Sequence, residues 1–181
     1  MNLKSKFLVP LIFFFKCGII LSYSYKKKFD YAVVVDAGSM GSRVFIYHLT
    51  EAENGMGLDI KAKPSKNITP GLATYHENPE KSFSYLEPLV EYAKENIPQE
   101  SHRQTPFFLM GTAGMRLISE DSQQKIYDSL YESFILDPSF PFKVHRSSLL
   151  TISGGMEAYY AVISTNFLAN KIDPFLHPKD P

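Results

Sequence analysis

The stretch from Tyr31 to Leu49, YAVVVDAGSMGSRVFIYHL, narrows the choice of fold more than any other part of the chain. Ala32, Val33, Val34 and Val35 form a continuous apolar run, as expected of a strand buried on both faces. The segment Asp36 to Ser42 breaks that run with two glycines and two serines. Arg43 to Leu49 then resumes an extended pattern, with Val44 and Ile46 on one face and Phe45 and Tyr47 on the other. The reading is strand, tight polar turn, strand.

Such a turn has two readings. Acidic Gly/Ser turns between strands are ordinarily hairpin loops and nothing more. A turn of this type can also aim successive backbone N–H groups at an anion, because Gly38 and Gly41 permit angles that a Cβ forbids. Asp36 stands where the buried strand emerges, where a carboxylate can hold a metal ion or its water beside the anion.

The whole chain has 181 residues, enough to build a lobe with one good core around this hairpin. Lys and Arg total 19 and so do Asp and Glu, which leaves no net field to gather nucleic acid or a membrane surface. Cys17 is the single cysteine, so the globular part carries no internal disulfide. The N-terminus reads as a targeting segment: Lys4 and Lys6, then an apolar run from Phe7 to Phe15, then Lys16, a second apolar run, and Lys26, Lys27 and Lys28. Residues 1–28 are therefore a signal peptide or signal anchor with a basic linker, which sends the chain into the secretory pathway, to the Golgi or ER lumen or the cell surface. Asn67-Ile68-Thr69 is a candidate N-glycosylation sequon for a luminal chain.

Beyond the hairpin, Leu58 to Ala62 alternates as a third strand, and Pro64 to Gly71 reads as a loop. Asn78 and Pro79 start a helix with apolar positions at Phe83, Leu86, Leu89, Val90, Ala93 and Ile97. Pro88 should kink it or mark a second start, and Pro98 ends it. Phe107 to Met110 is a strand that runs into a second small-residue turn, Gly111 to Arg116. Ser119 to Ser122 offers caps for a helix to Leu136 with Ile126, Leu130 and Phe134 as its stripe. Pro141 to Val144 is a further strand, and Ser153-Gly154-Gly155 opens a last helix to about Ala169. Residues 29–172 form the lobe, and residues 173–181 read as a proline-rich tail. Three small-residue turns, at 36–42, 111–116 and 153–157, thus fall at the ends of apolar elements, where α/β sheets gather ligands.

These turns carry a resemblance. Asp36 to Arg43, DAGSMGSR, resembles the first motif, DAGSSGTR, of the apyrase or nucleoside triphosphate diphosphohydrolase family, which includes ectonucleotidases and Golgi nucleoside diphosphatases. Gly111 to Leu117 resembles the family's second motif, ATAGMRL; Ile68 to Leu72 is similar to its KITPGL stretch; Ser153 to Leu168 looks like a degraded third motif. The resemblance covers about residues 30–170 and implies an α/β, actin- and hexokinase-like (ribonuclease H-like) lobe with a mixed sheet flanked by helices. It implies hydrolysis of the terminal phosphate of a nucleoside di- or triphosphate. The backbone of Ser39, Met40, Gly41 and Ser42 would bind phosphate, with the Ser39 hydroxyl and with Thr112 and Ala113. Asp36 would act through a Ca²⁺ or Mg²⁺ ion by way of water, and Glu157 would be the base that activates the attacking water. The residues alone also allow plainer roles. Glu157 suits the first turn of any helix, Thr112 suits an N-cap, Arg116 suits an ion pair, and the histidines lack metal-ligand spacing.

The match has departures. Met40 replaces a small hydroxyl residue, Ala158 stands where the family has glycine, and Val162 where it has tryptophan. A Cβ at 158 could crowd the water site, and a misplacement of about 1 Å can cost on the order of a hundredfold in rate. The family's fourth motif, a DLGGAS-type phosphate loop in a second lobe, has no counterpart in these 181 residues, so only the first of two lobes is expected here, with little turnover by itself. The alternatives are a catalytically impaired fragment, or a relative that binds nucleotide or a partner; a third is another actin-like phosphatase such as an exopolyphosphatase. Base preference and oligomeric state stay open.

Overall fold

A computed structural model describes residues 29–51, 58–169 and 171–172. The expected targeting segment and the expected tail both lie outside the described residues. Six strands form one mixed sheet: β1 (Tyr31–Ala37), β2 (Ser42–Glu51), β3 (Leu58–Ala62), β4 (Lys66–Ile68), β5 (Pro106–Gly111) and β6 (Lys143–Thr151). Among the described residues three α-helices accompany them: α1 (Ser82–Asn96), α2 (Glu120–Leu136) and α3 (Gly154–Leu168). The strand order is β3-β2-β1-β5-β6, with β4 also pairing β2. β2 is antiparallel to β1, β3 and β4, whereas β5 is parallel to both β1 and β6. The architecture is the α/β lobe, a mixed sheet flanked by helices, that the resemblance implies.

Alternation along β1 and β2 sorts the core into two layers. Val33, Val35, Val44 and Ile46 face α1 and α2 and pack with Leu86, Leu89, Leu130 and Phe134. Ala32, Val34, Phe45 and Tyr47 face the other way and pack with Tyr160 of α3. By the same alternation Asp36 points to the α3 side. The sheet therefore delivers this carboxylate to the face where α3 begins.

Several local expectations are met in detail. β3 spans the alternating stretch Leu58–Ala62. α2 begins where Ser119 accepts a hydrogen bond from the Ser122 N–H at 3.1 Å and ends at Leu136, with Ile126, Leu130 and Phe134 buried. Other expectations need correction. α1 does not divide at Pro88, which lies on its exposed face. A proline inside a helix costs about 3 kcal/mol. Leu86, Leu89 and Val90 are buried on the opposite side, and each such side chain contributes roughly 1.5–3 kcal/mol, so packing wins. The helix also starts later than expected, because Pro79–Lys81 forms a separate 3-10 turn.

Part of the presumed loop Pro64 to Gly71 is a strand: Lys66–Ile68 pairs with β2, Ser42 opposite Ile68 and Arg43 opposite Asn67. Asn67 is exposed there. β6 extends through Thr151 rather than stopping at Val144, with an irregularity between the Phe107–Val144 and Leu109–Leu149 pairs. It edges the sheet, so its polar His145, Arg146 and Ser147 give no apolar signal.

Candidate functional site

The site assembles at the ends of β1, β5 and β6. The β1–β2 turn occupies residues 38–41, and the Gly38 N–H donates to the Gly41 carbonyl at 2.9 Å. Among the described residues, none accepts a hydrogen bond from the Ser39, Met40 or Gly41 N–H. Three consecutive donors are thus left for solvent or a ligand. The Met40 side chain is 85% exposed, so its bulk stands outward.

Two glycines make this turn possible from outside it. A Cβ on Gly114 would come within 2.6 Å of the Ser39 Cα, and one on Gly71 within 2.5 Å of the Ser39 carbonyl oxygen. Neither distance is tolerable for real atoms, so the GTAGM turn and the ITPGL stretch both press their bare backbones against the 38–41 turn. The sequence marks Gly71 as part of a family-like stretch, yet no local pattern assigns it a task. Its task is visible only once Ile68 to Leu72 lies against the hairpin.

Thr112 follows directly on β5. Its N–H donates to the Ala37 carbonyl at 3.0 Å, and its hydroxyl lies 3.3 Å from Asp36 Oδ1. It does not cap a helix; the short 3-10 turn Met115–Leu117 follows Gly114 instead. Ala113 lies beside it in the same turn. Ser42 is placed differently from its three neighbours. Its side chain is buried and its hydroxyl meets Tyr85 at 3.0 Å, away from the open part of the turn.

Asp36 is only 8% exposed. Its carboxyl is pushed up from the ordinary 3.8 to about 6. Burial is the main cause; the Thr112 hydrogen bond opposes it, the charge of Glu157 adds to it and that of Arg43 opposes it. Between about pH 4 and 6 the folded chain keeps a proton at Asp36 that the unfolded chain has lost. This contribution to stability is full below the lower value and is lost as pH rises through about 6. The full loss is on the order of 3 kcal/mol. In metal-free buffer Asp36→Asn should therefore be more stable than the wild type at pH 8 by about 1–3 kcal/mol and little different at pH 4. Urea denaturation at the two pH values checks this, and an equal difference at both would contradict the burial account.

Glu157 lies in the first turn of α3, where Ser153 caps the helix by accepting from the Met156 N–H at 3.2 Å. Its Oε2 pairs with Arg116 Nη1 at 3.0 Å, both side chains being 32% exposed. Arg116 Nη1 also donates to the Ile152 carbonyl at 2.9 Å, at the exit of β6. The expected ion pair of Arg116 is thus made with Glu157. Among the described residues Glu157 Oε1 takes no hydrogen bond. Ala158 is exposed, so its Cβ meets open space on the described surface. Asp36, Thr112 and Glu157 are thereby gathered on one side of the 38–41 turn.

The oxygen donors at this site, from Asp36, Ser39, Thr112 and Glu157, suit a hard divalent ion. No group of three or more His, Cys, Asp or Glu side chains able to hold a metal exists among the described residues. A Ca²⁺ or Mg²⁺ ion that keeps most of its waters fits this set, since the buried Asp36 carboxylate lacks a full countercharge. Among the described residues no helix is long and apolar enough to cross a membrane.

Known proteins resemble this chain over most of its length. The chain is 39% identical over 163 residues to ectonucleoside triphosphate diphosphohydrolase 7 of Xenopus tropicalis, a match covering 84% of this chain and 26% of that protein. It is 36% identical to human ectonucleoside triphosphate diphosphohydrolase 4 (80% and 24% covered). It is 35% identical to the guanosine-diphosphatase of Schizosaccharomyces pombe (77% and 24% covered). The chain thus spans about a quarter of the length of these relatives. A solved structure of nucleoside triphosphate hydrolases from Neospora caninum shares the fold, with a TM-score of 0.60, 18% identity, and coverage of 86% of this chain and 35% of that one. The sequence profile of the GDA1/CD39 (nucleoside phosphatase) family matches residues 22–176, which takes in every site element described above, and the chain belongs to that family.

Proposed function

We propose that this chain carries the phosphate-gripping and water-activating lobe of a nucleoside di- or triphosphate phosphohydrolase. The observation that carries the reading is the Thr112 hydroxyl set against Asp36 next to three unspent N–H groups at Ser39, Met40 and Gly41. Those N–H groups are donors for the oxygens of a terminal phosphate, with Thr112 and Ala113 contacting it from the second turn. Ser39 adds its hydroxyl, and Ser42 anchors the end of the turn. Asp36 would hold a divalent ion by way of water, and that ion would supply positive charge against the phosphate oxygens. Glu157 takes the proton of a water that attacks the terminal phosphorus, as the bond to the leaving nucleotide breaks. Arg116 holds one carboxylate oxygen and leaves the other for the water.

The surroundings follow from the same reading. The chain works in the secretory pathway, in the Golgi or ER lumen or at the cell surface, entered through residues 1–28 as signal or anchor. Asn67, exposed on β4, is the glycan acceptor.

Orthophosphate release from GDP, UDP and ATP with Ca²⁺ or Mg²⁺ tests the reading. The 181-residue polypeptide should release phosphate above background, but far more slowly than the much longer relatives it matches. Turnover at the relatives' rate would contradict the view that one lobe forms only half the clamp. Nucleotide binding without release would favour the alternative of an impaired binding relative.

A further inference from the structure

We propose that Tyr85 is a positioning residue for the 38–41 turn, acting through Ser42 and Pro70 without touching substrate; its functional meaning rests on the phosphate-binding reading above. Tyr85 belongs to α1, on the side of the sheet opposite Asp36. Its hydroxyl lies 3.0 Å from Ser42 Oγ and also bonds the Pro70 carbonyl. A phenol has one proton, and a carbonyl can only accept. The proton therefore goes to Pro70, and the Ser42 hydroxyl donates to the phenol oxygen. Burial pushes the Tyr85 phenol up, against hydrogen bonds from the Ser42 side chain and backbone, so it remains a donor at neutral pH.

These two bonds hold the turn from both sides. Ser42 is the first residue of β2, where the chain leaves the turn. Pro70 precedes Gly71, whose backbone lies against Gly38 and Ser39. One hydroxyl thus links the exit of the turn to the segment that backs its entry. The ring is itself steadied by Tyr75, with centroids 4.8 Å apart. The same helix supplies a natural control: the Tyr92 hydroxyl donates to the Pro64 carbonyl at 2.8 Å, a similar bond placed before β4 and remote from the turn.

The test compares the full chain with Tyr85→Phe, Ser42→Ala and Tyr92→Phe. It measures backbone ¹⁵N order parameters without ligand and calorimetric affinity for ADP with Ca²⁺. Tyr85→Phe should lower the order parameters of Ser39, Met40 and Gly41 from about 0.85 toward about 0.6. It should weaken ADP about tenfold. Ser42→Ala should loosen the same three residues. Tyr92→Phe should lower the melting temperature about as much as Tyr85→Phe and leave both the turn and the ADP affinity unchanged. Unchanged order parameters in Tyr85→Phe, or equal loosening by Tyr92→Phe, would overturn the proposal. So would a loosened turn with undiminished ADP affinity. If the wild type binds no ADP while Tyr85→Phe still loosens the turn, the nucleotide reading fails and Tyr85 stands as the residue that holds the turn.

Discussion

Glu157→Gln is expected to slow phosphate release by roughly 10²–10⁴-fold while leaving ADP affinity close to that of the wild type. The substitution keeps the shape of the side chain and an oxygen for Arg116, which pairs with it at 3.0 Å. The pair is about one-third exposed, so weakening it costs less than about 1 kcal/mol and the fold should persist. Only the capacity to take a proton from water is removed. Single-turnover release of orthophosphate from ADP, with protein in excess, isolates that step. An unchanged rate would reduce Glu157 to a helix first-turn residue whose work is to hold Arg116.

Gly114→Ala should be nearly as damaging through a different route. The added methyl would lie 2.6 Å from the Ser39 Cα and 3.1 Å from the Ser39 nitrogen. Those are backbone atoms of the turn, so no flexible side chain can swing aside. Either the 38–41 turn or the Thr112–Gly114 segment has to move. Overpacking of this kind costs typically about 1–3 kcal/mol of stability. A displacement of about 1 Å at the phosphate donors can cost on the order of a hundredfold in function. The variant should melt lower and bind ADP with Ca²⁺ much more weakly. Met40→Ala, which removes a side chain pointing into solvent, should change neither greatly. An undiminished affinity in Gly114→Ala would mean that the turn does not grip the nucleotide.

The two variants divide the site as the sequence itself divides. Hairpin and helices are legible because their signals are local: apolar continuity at Ala32–Val35, alternation at Leu58–Ala62, and a serine cap before Glu120. Asp36, Thr112 and Glu157 stood out because each falls at a small-residue turn, and the family resemblance joined the three. What the sequence concealed depends on contacts between distant segments. β4 is polar and flanked by prolines, and it is a strand only because β2 offers an edge to pair with. The length of β6 is hidden by polar residues that an edge strand tolerates. The Arg116–Glu157 pair spans 41 positions and the Tyr85–Ser42 bond 43. No periodicity reports either one. Gly114 reads from the sequence as part of a small-residue turn and Gly71 as the end of a loop, whereas the closest task of both is to leave room for Ser39.

The lobe account rests on the turn at residues 38–41 being the seat of the terminal phosphate. The most direct measurement is a titration of the ¹⁵N-labelled chain with ADP and Ca²⁺, followed at the backbone amides. The account predicts saturable shifts largest at Ser39, Met40 and Gly41, with Thr112 and Ala113 moving on the same isotherm. Saturable shifts confined to other parts of the chain, or none at these five amides up to millimolar ADP, would contradict it.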